Sequence, residues 1–203
     1  MIATELDRLA SHPFIATFVR SLALQPGREL EVDESVRRAA ILLAVRARSD
    51  GEPELLMIKR AEFESDPWSG HVACPGGRME PRDHDLAETA ARETLEETGI
   101  DIARDGRMLG HLDDLTPRTP LLPPIVIRPF VALVRTDLTI VLSREVASAF
   151  WVPIEALREP TAWGRGVVPA RAGGQAVSTF QHGEHTVWGL TERVLRQFVD
   201  YVS

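Results

Sequence analysis

Cys74 is the only cysteine in the 203 residues. That excludes a disulfide framework and a cysteine-rich zinc site, and it leads one to expect a reducing, cytoplasmic setting. Long apolar runs are missing as well. The longest, such as Ala39–Val45, fall far short of the roughly 18 residues that cross a bilayer, so no membrane span is expected. The start, Met-Ile-Ala-Thr-Glu-Leu-Asp-Arg, places acids early and has no apolar core, so no signal peptide is expected. An excess of basic residues is also lacking. There are 23 Lys and Arg against 30 Asp and Glu, for a formal net charge of -7, which disfavours long nucleic acid as a partner. What is present is ordinary for a globular chain: 44% hydrophobic and 26% charged. Wholesale disorder is excluded, and the length suits one domain with an added arm.

Leu6, Leu9, Phe14, Ile15, Phe18 and Leu22 recur at helical spacing, with Pro13 as a break or restart, and Gln25-Pro26-Gly27 ends the segment. Residues 1–35 therefore read as an N-terminal helical arm, and residues 36–203 as the main domain. Arg38–Arg46 and Glu54–Ile58 are apolar runs around the turn Asp50-Gly51-Glu52-Pro53, which predicts a hairpin. Residues 61–83 read as irregular. Asp85–Thr98 reads as a helix stopped by Gly99. The stretch 113–124, with Pro117, Pro120, Pro123 and Pro124, reads as a candidate substrate loop. Strands are expected at Ile125–Val134 and Phe150–Val152, then a short helix at Pro153–Leu157 and a loop over Glu159–Ser178. A pairing of Thr179–Gln181 with Thr186–Trp188 and a last helix at Thr191–Tyr201 complete the chain.

The chemistry concentrates on the helix after Gly76-Gly77. Glu93, Glu96 and Glu97 stand at i, i+3 and i+4, so three carboxylates share one helix face. Like charges at that spacing repel, and a divalent cation removes the conflict. Most acidic helix faces are simply solvated. Here the double glycine allows close backbone approach, and Ala87, Ala90 and Ala91 suit a helix pressed against a sheet. Arg92 can pair with Glu96 or with Glu88 and so hold the glutamates in place.

Residues Gly77–Ile100 resemble the Nudix box, G-x5-E-x7-R-E-U-x-E-E-x-G-U, where U is a bulky apolar residue. Arg92-Glu93-Thr94-Leu95-Glu96-Glu97-Thr98-Gly99-Ile100 follows its second half, with Thr94 at the usual apolar position. The spacing from Gly77 to Arg92 is one residue longer than the general pattern, and Asp83 best fills the first acidic position. The coenzyme A diphosphatase branch of that family is similar in this longer spacing, P-G-G-[KR]-x-[DE]-P-x-D, which here reads Pro75-Gly76-Gly77-Arg78-Met79-Glu80-Pro81-Arg82-Asp83. Leu55–Arg60, Pro67–Gly77, Pro129–Val131, Phe150–Pro153 and Trp188–Thr191 also resemble that branch. Arg60–Asp66 departs from it, lacking the Leu-Arg-x-His core of its R-S-x-x-L-R-x-H signature.

The resemblance implies an α/β fold, an α/β/α sandwich around a mixed sheet. It also implies a hydrolase of nucleoside diphosphate-linked compounds that uses Mg2+ or Mn2+. Gly77, Glu93, Glu96 and Glu97 would be metal ligands, the glycine through its carbonyl. Glu93 is a further ligand, a water-activating base, or both, and Glu145 is a second candidate base. Arg92 belongs to the same catalytic face. Arg60, Arg78 and His71 are candidate substrate contacts, the arginines as bidentate partners of phosphate. The partner implied is a small nucleotide, and a homodimer is an option. Coenzyme A is the first substrate expected. ADP-ribose, NADH, nucleotide sugars or dinucleoside polyphosphates are the alternative, and a non-catalytic binding module is a second alternative.

Overall fold

The computed structural model describes residues 4–62, 69–117, 123–167, 174 and 176–202. Two helices open the chain, α1 (Glu5–Ala10) and α2 (Pro13–Leu24). Thr4 and Asp7 form a capping box on α1, which satisfies donors the first turn leaves open. Pro13 starts α2, where its missing N–H costs nothing. The hairpin follows, β1 (Arg37–Ala47) and β2 (Pro53–Arg60). Then come β3 (Val72–Ala73), β4 (Gly76–Arg78), α3 (Leu86–Thr98), α4 (Ile102–Asp105), β5 (Gly106–His111) and β6 (Ile125–Val134). The last third carries β7 (Val146–Pro153), α5 (Ile154–Arg158), β8 (Trp163–Val167), β9 (Ala176–His182), β10 (His185–Trp188) and α6 (Gly189–Asp200).

The main sheet is mixed. β1 runs parallel to β6 from Arg37↔Ile125 to Val45↔Leu133, and β5 lies antiparallel on the far side of β6. β1 and β2 pair only near their turn, from Val45↔Leu55 to Ala47↔Pro53. Beyond that they splay, and the β3–β4 segment wedges into the gap. β3 pairs with Ile58 and Lys59 of β2, while β4 pairs with Ala39, Ala40 and Ile41 of β1. β7 flanks the other edge of β2. β8, β9 and β10 form a second, antiparallel sheet.

Strand alternation sends side chains to two faces. Ala40, Leu42, Ala44 and Leu56 meet Leu86 and Ala90 of α3, and the small alanines let the helix sit close. Leu43, Val45, Leu55 and Met57 face the opposite layer, where Ile15 and Phe18 of the arm pack with Val194, Leu195 and Phe198 of α6. The α/β/α sandwich expected from the resemblance is therefore the fold observed. The arm is built into this core: Phe18 has no exposure, and its ring lies 5.1 Å from that of Phe198.

Several sequence readings need correction. Residues 61–83 are not wholly irregular, since they carry β3 and β4. The presumed loop Glu159–Ser178 contains β8 and the start of β9. The strand around Phe150–Val152 begins earlier, at Val146, and the last helix begins at Gly189 and ends at Asp200. Residues 101–111, for which the sequence pattern predicts no element, hold α4 and β5. Of the candidate substrate loop, residues 118–122 lie outside the described residues; within the rest, Leu115 bridges to Ile127.

Candidate active site

The wedge brings Gly76 and Gly77 against both β1 and α3. A Cβ on Gly76 would lie 2.3 Å from the Ala40 carbonyl oxygen, and one on Gly77 2.4 Å from the Glu93 carboxyl carbon. At Gly76, which faces backbone at φ 154°, only glycine permits the approach, and at Gly77 a side chain would displace the Glu93 carboxylate. Asp85 caps the start of α3, its side chain accepting from the Glu88 N–H, and Gly99 closes the helix in a left-handed conformation with φ 75°. Helix, turn and wedge together mount the acidic face.

Glu97 is the most enclosed of the three glutamates, at 4% exposure. The Gly76 N–H donates to its Oε2 at 2.9 Å, and Arg60 Nη1 stands 4.0 Å from Oε1. Burial disfavours the charged form and pushes this carboxyl up to about 7. Glu93 is half-buried, and burial raises its pKa too, against the opposing pull of Arg92. Glu96 is exposed and turned toward two guanidiniums, Arg82 at 2.9 Å and Arg92 at 3.3 Å.

Arg92 organises this face. Its Nε donates to Asp83 Oδ1 at 2.8 Å, and Nη2 donates to Asp83 Oδ2 at 2.9 Å and to the Arg78 carbonyl at 3.0 Å. Nη1 donates to Glu93 at 2.9 Å and to Glu96 at 3.3 Å. A guanidinium has five N–H groups, so every donor is occupied and none remains for a substrate. Arg92 thus acts as a positioning residue. The alternative partner Glu88 instead accepts from the His84 N–H at 2.6 Å. Asp83 is the member of the network that the candidate residues lacked, although the box spacing already marked its position. Its side chain is 1% exposed. It also accepts from the Glu80 N–H at 2.9 Å and the Thr89 hydroxyl at 3.0 Å. These donors, Arg92 foremost, hold its carboxyl well below the usual carboxylate range. Thr94, at the usual apolar position, is tolerated in the core because its hydroxyl donates to the Ala90 carbonyl at 2.7 Å.

Glu145 stands just before β7 and is exposed. The segment leading to it is tied to the end of α3, with the Val141 N–H on the Thr98 carbonyl at 2.9 Å and the Ser143 N–H on the Glu97 carbonyl at 3.1 Å. The Glu145 carbonyl accepts from the Ala61 N–H at 2.8 Å. Glu145 lies close enough for its charge to contribute to the raised pKa of Glu97. Arg78 is exposed and forms no ion pair among the described residues. His71 packs its ring 4.5 Å from that of Trp188, the last residue of β10. Cys74 is buried beside Met57, which pushes its thiol up to about 12. A cavity of about 560 Å3 lies elsewhere, between the arm linker, β6 and the start of α3, and none of Glu93, Glu96 or Glu97 lines it.

The donor set suits a hard divalent cation, because every group offered is oxygen. The Glu93 carboxylate seated where a Cβ on Gly77 would stand is a cradle of the right kind. Among the described residues, no three acidic or imidazole side chains yet converge on one point. Glu93 and Glu97 approach the two glycines, whereas Glu96 is turned to Arg82 and Arg92.

Three comparisons bear on this arrangement. A family profile described as NUDIX domain matches residues 36–171. The uncharacterized Nudix hydrolase NudL of Photorhabdus laumondii is 29% identical over 192 residues, covering 93% of this chain and 98% of that protein. The peroxisomal coenzyme A diphosphatase ndx-8 of Caenorhabditis elegans is 38% identical over 109 residues, covering 53% of this chain and 44% of the relative, so the match spans less than half of the nematode protein. Among solved structures, a MutT/nudix family protein from Enterococcus faecalis superposes with a TM-score of 0.54 at 17% identity, over 100% of this chain and 76% of that one. This last likeness is one of fold alone. With the profile spanning the wedge, the acidic helix and Glu145, the chain belongs to the Nudix family, and it is a hydrolase of the diphosphatase type.

Proposed function

We propose that this chain hydrolyses the pyrophosphate bond of coenzyme A or its thioesters with Mg2+ or Mn2+. The products are 4'-phosphopantetheine, or its acyl form, and adenosine 3',5'-bisphosphate. The observation that carries the substrate is Asp83. The loop is one residue longer than the general box, the form found in the coenzyme A diphosphatase branch, and its acid still clamps Arg92 through two hydrogen bonds of 2.8 and 2.9 Å. The coenzyme A diphosphatase of C. elegans, 38% identical over half of the chain, supports the same reading. In this proposal residues 36–203 are the catalytic domain and residues 1–35 the arm that completes its core.

Glu93, Glu96, Glu97 and the Gly77 carbonyl would hold the metal. When bound, a divalent ion neutralises charge on the pyrophosphate oxygens and lowers the proton affinity of water. Hydrolysis forms one bond from water oxygen to phosphorus, breaks the bond from phosphorus to the bridging oxygen, and needs a carboxylate to accept the water's proton. Glu93 and Glu145 are the two candidates for that role. Arg60, beside Glu97, and the exposed Arg78 would bind phosphate oxygens in a bidentate way. His71 is the further substrate contact in this reading, and Arg92 holds Glu93 in place. The missing Leu-Arg-x-His core after Arg60 favours a second reading with the same chemistry, on ADP-ribose, NADH, nucleotide sugars or dinucleoside polyphosphates.

Product analysis by mass spectrometry separates them. The protein is incubated with coenzyme A or ADP-ribose and Mg2+ or Mn2+, with Glu97→Gln alongside. Both expected products from coenzyme A with the parent, and at least a hundredfold less with Glu97→Gln, support the proposal. Intact coenzyme A with cleaved ADP-ribose transfers the assignment to the second reading.

A further inference from the structure

Glu96 is the one box carboxylate that the fold leaves outside the Gly76–Gly77 cradle, and its partners explain where it stands. Arg82 Nη2 donates to Glu96 Oε1 at 2.9 Å, while Arg82 Nε holds Glu80 Oε2 at 2.8 Å. Glu96 Oε2 takes a longer bond from Arg92 Nη1 at 3.3 Å. Arg92 is anchored by the buried Asp83 and the Arg78 carbonyl and is not free to follow Glu96. Arg82 is 62% exposed, sits on a loop and, among the described residues, is bound only to two exposed glutamates, so it can be displaced.

We propose that Arg82 is a positioning residue for Glu96, a latch that a divalent cation must open before Glu96 joins Glu93 and Glu97. The inference rests on the metal-site reading given above and extends it to a residue outside the box pattern. Two cationic groups, the guanidinium and the metal, compete for one carboxylate. Removing the guanidinium therefore tightens metal binding. Arg92 Nη1 meanwhile bridges Glu93 and Glu96, so their like charges are partly compensated before the cation arrives. An exposed ion pair is weak and screened by salt, so the effect is modest and shrinks at high ionic strength.

The test is Mn2+ affinity measured by electron paramagnetic resonance on the full chain, without substrate. Arg82→Gln is expected to bind Mn2+ about two- to fivefold more tightly than the parent, in line with the strength of an exposed ion pair. Loss of a nearby positive charge would raise affinity by itself, so the same substitution is made in a Glu96→Gln background. There the charge-assisted latch is gone and only the general charge effect remains, so Arg82→Gln is expected to tighten binding clearly less than in the parent background. The same gain in both backgrounds overturns the latch, as does unchanged or weaker binding in the single variant. A parent that binds no Mn2+ overturns the metal-site reading itself. Because Arg82 is exposed, thermal melting in chelator is expected to match the parent; a lowered midpoint would mean that Arg82 supports the fold, which also overturns the proposal.

Discussion

Replacing Asp83 with Asn tests whether the buried clamp on Arg92 holds the acidic face together. The substitution keeps the side-chain volume but removes the charge and turns one acceptor into an amide donor. Asp83 is 1% exposed and Arg92 12%, so the guanidinium is left largely desolvated beside a group that no longer balances it. Breaking a buried ion pair from one side costs about 3–5 kcal/mol. Arg92 keeps Glu93 and Glu96 as partners, which argues for the lower end, about 3 kcal/mol. For a domain of this size that lowers the melting midpoint by about 6–12 °C. The assay is urea unfolding with thermal melting, in chelator, at pH 7 and at descending pH. The folded pKa of Asp83 is depressed, so its contribution is present above the unfolded carboxylate value of about 4 and fades as pH falls toward the depressed one. The gap between parent and variant is therefore full at pH 7 and narrows below about pH 4. A gap under about 1 kcal/mol at pH 7, or one that stays constant down to pH 2, would refute the clamp.

Glu97 has the opposite sign. Its carboxyl is raised from 4.5 to about 7, so its contribution is present below pH 4.5 and is lost as pH rises through 7. In chelator, Glu97→Gln is expected to gain about 2–3 kcal/mol over the parent by pH 8, and parallel stability curves from pH 5 to 8 would contradict this. Phe18→Ala removes a fully buried ring between Phe198 and Tyr201 and is expected to cost about 3–5 kcal/mol in urea unfolding; a loss below about 1 kcal/mol would mean that the arm does not share the core.

What the sequence determined by itself was local. The i, i+3, i+4 glutamates, the alanine stripe and the Gly99 stop all act within four residues, so helix periodicity and capping rules were enough to place α3. The hairpin turn and the long strand β6 were legible for the same reason. The family pattern added Asp83 as the box's first acidic position, but not its use. That Asp83 takes up two of the five donors of Arg92 depends on where the loop folds back, which no local rule states. The wedge of β3 and β4 also had to come from the tertiary structure. Two- and three-residue strands carry no readable alternation, and they exist only because β1 and β2 splay apart and leave edges to be paired. The same holds for β5, whose only strand partner among the described residues is β6. Burial decided the rest: three glutamates alike in sequence became one enclosed, one half-enclosed and one exposed, because the wedge covers only one edge of the helix. That asymmetry raises the proton affinities of Glu97 and Glu93 and leaves Glu96 to Arg82.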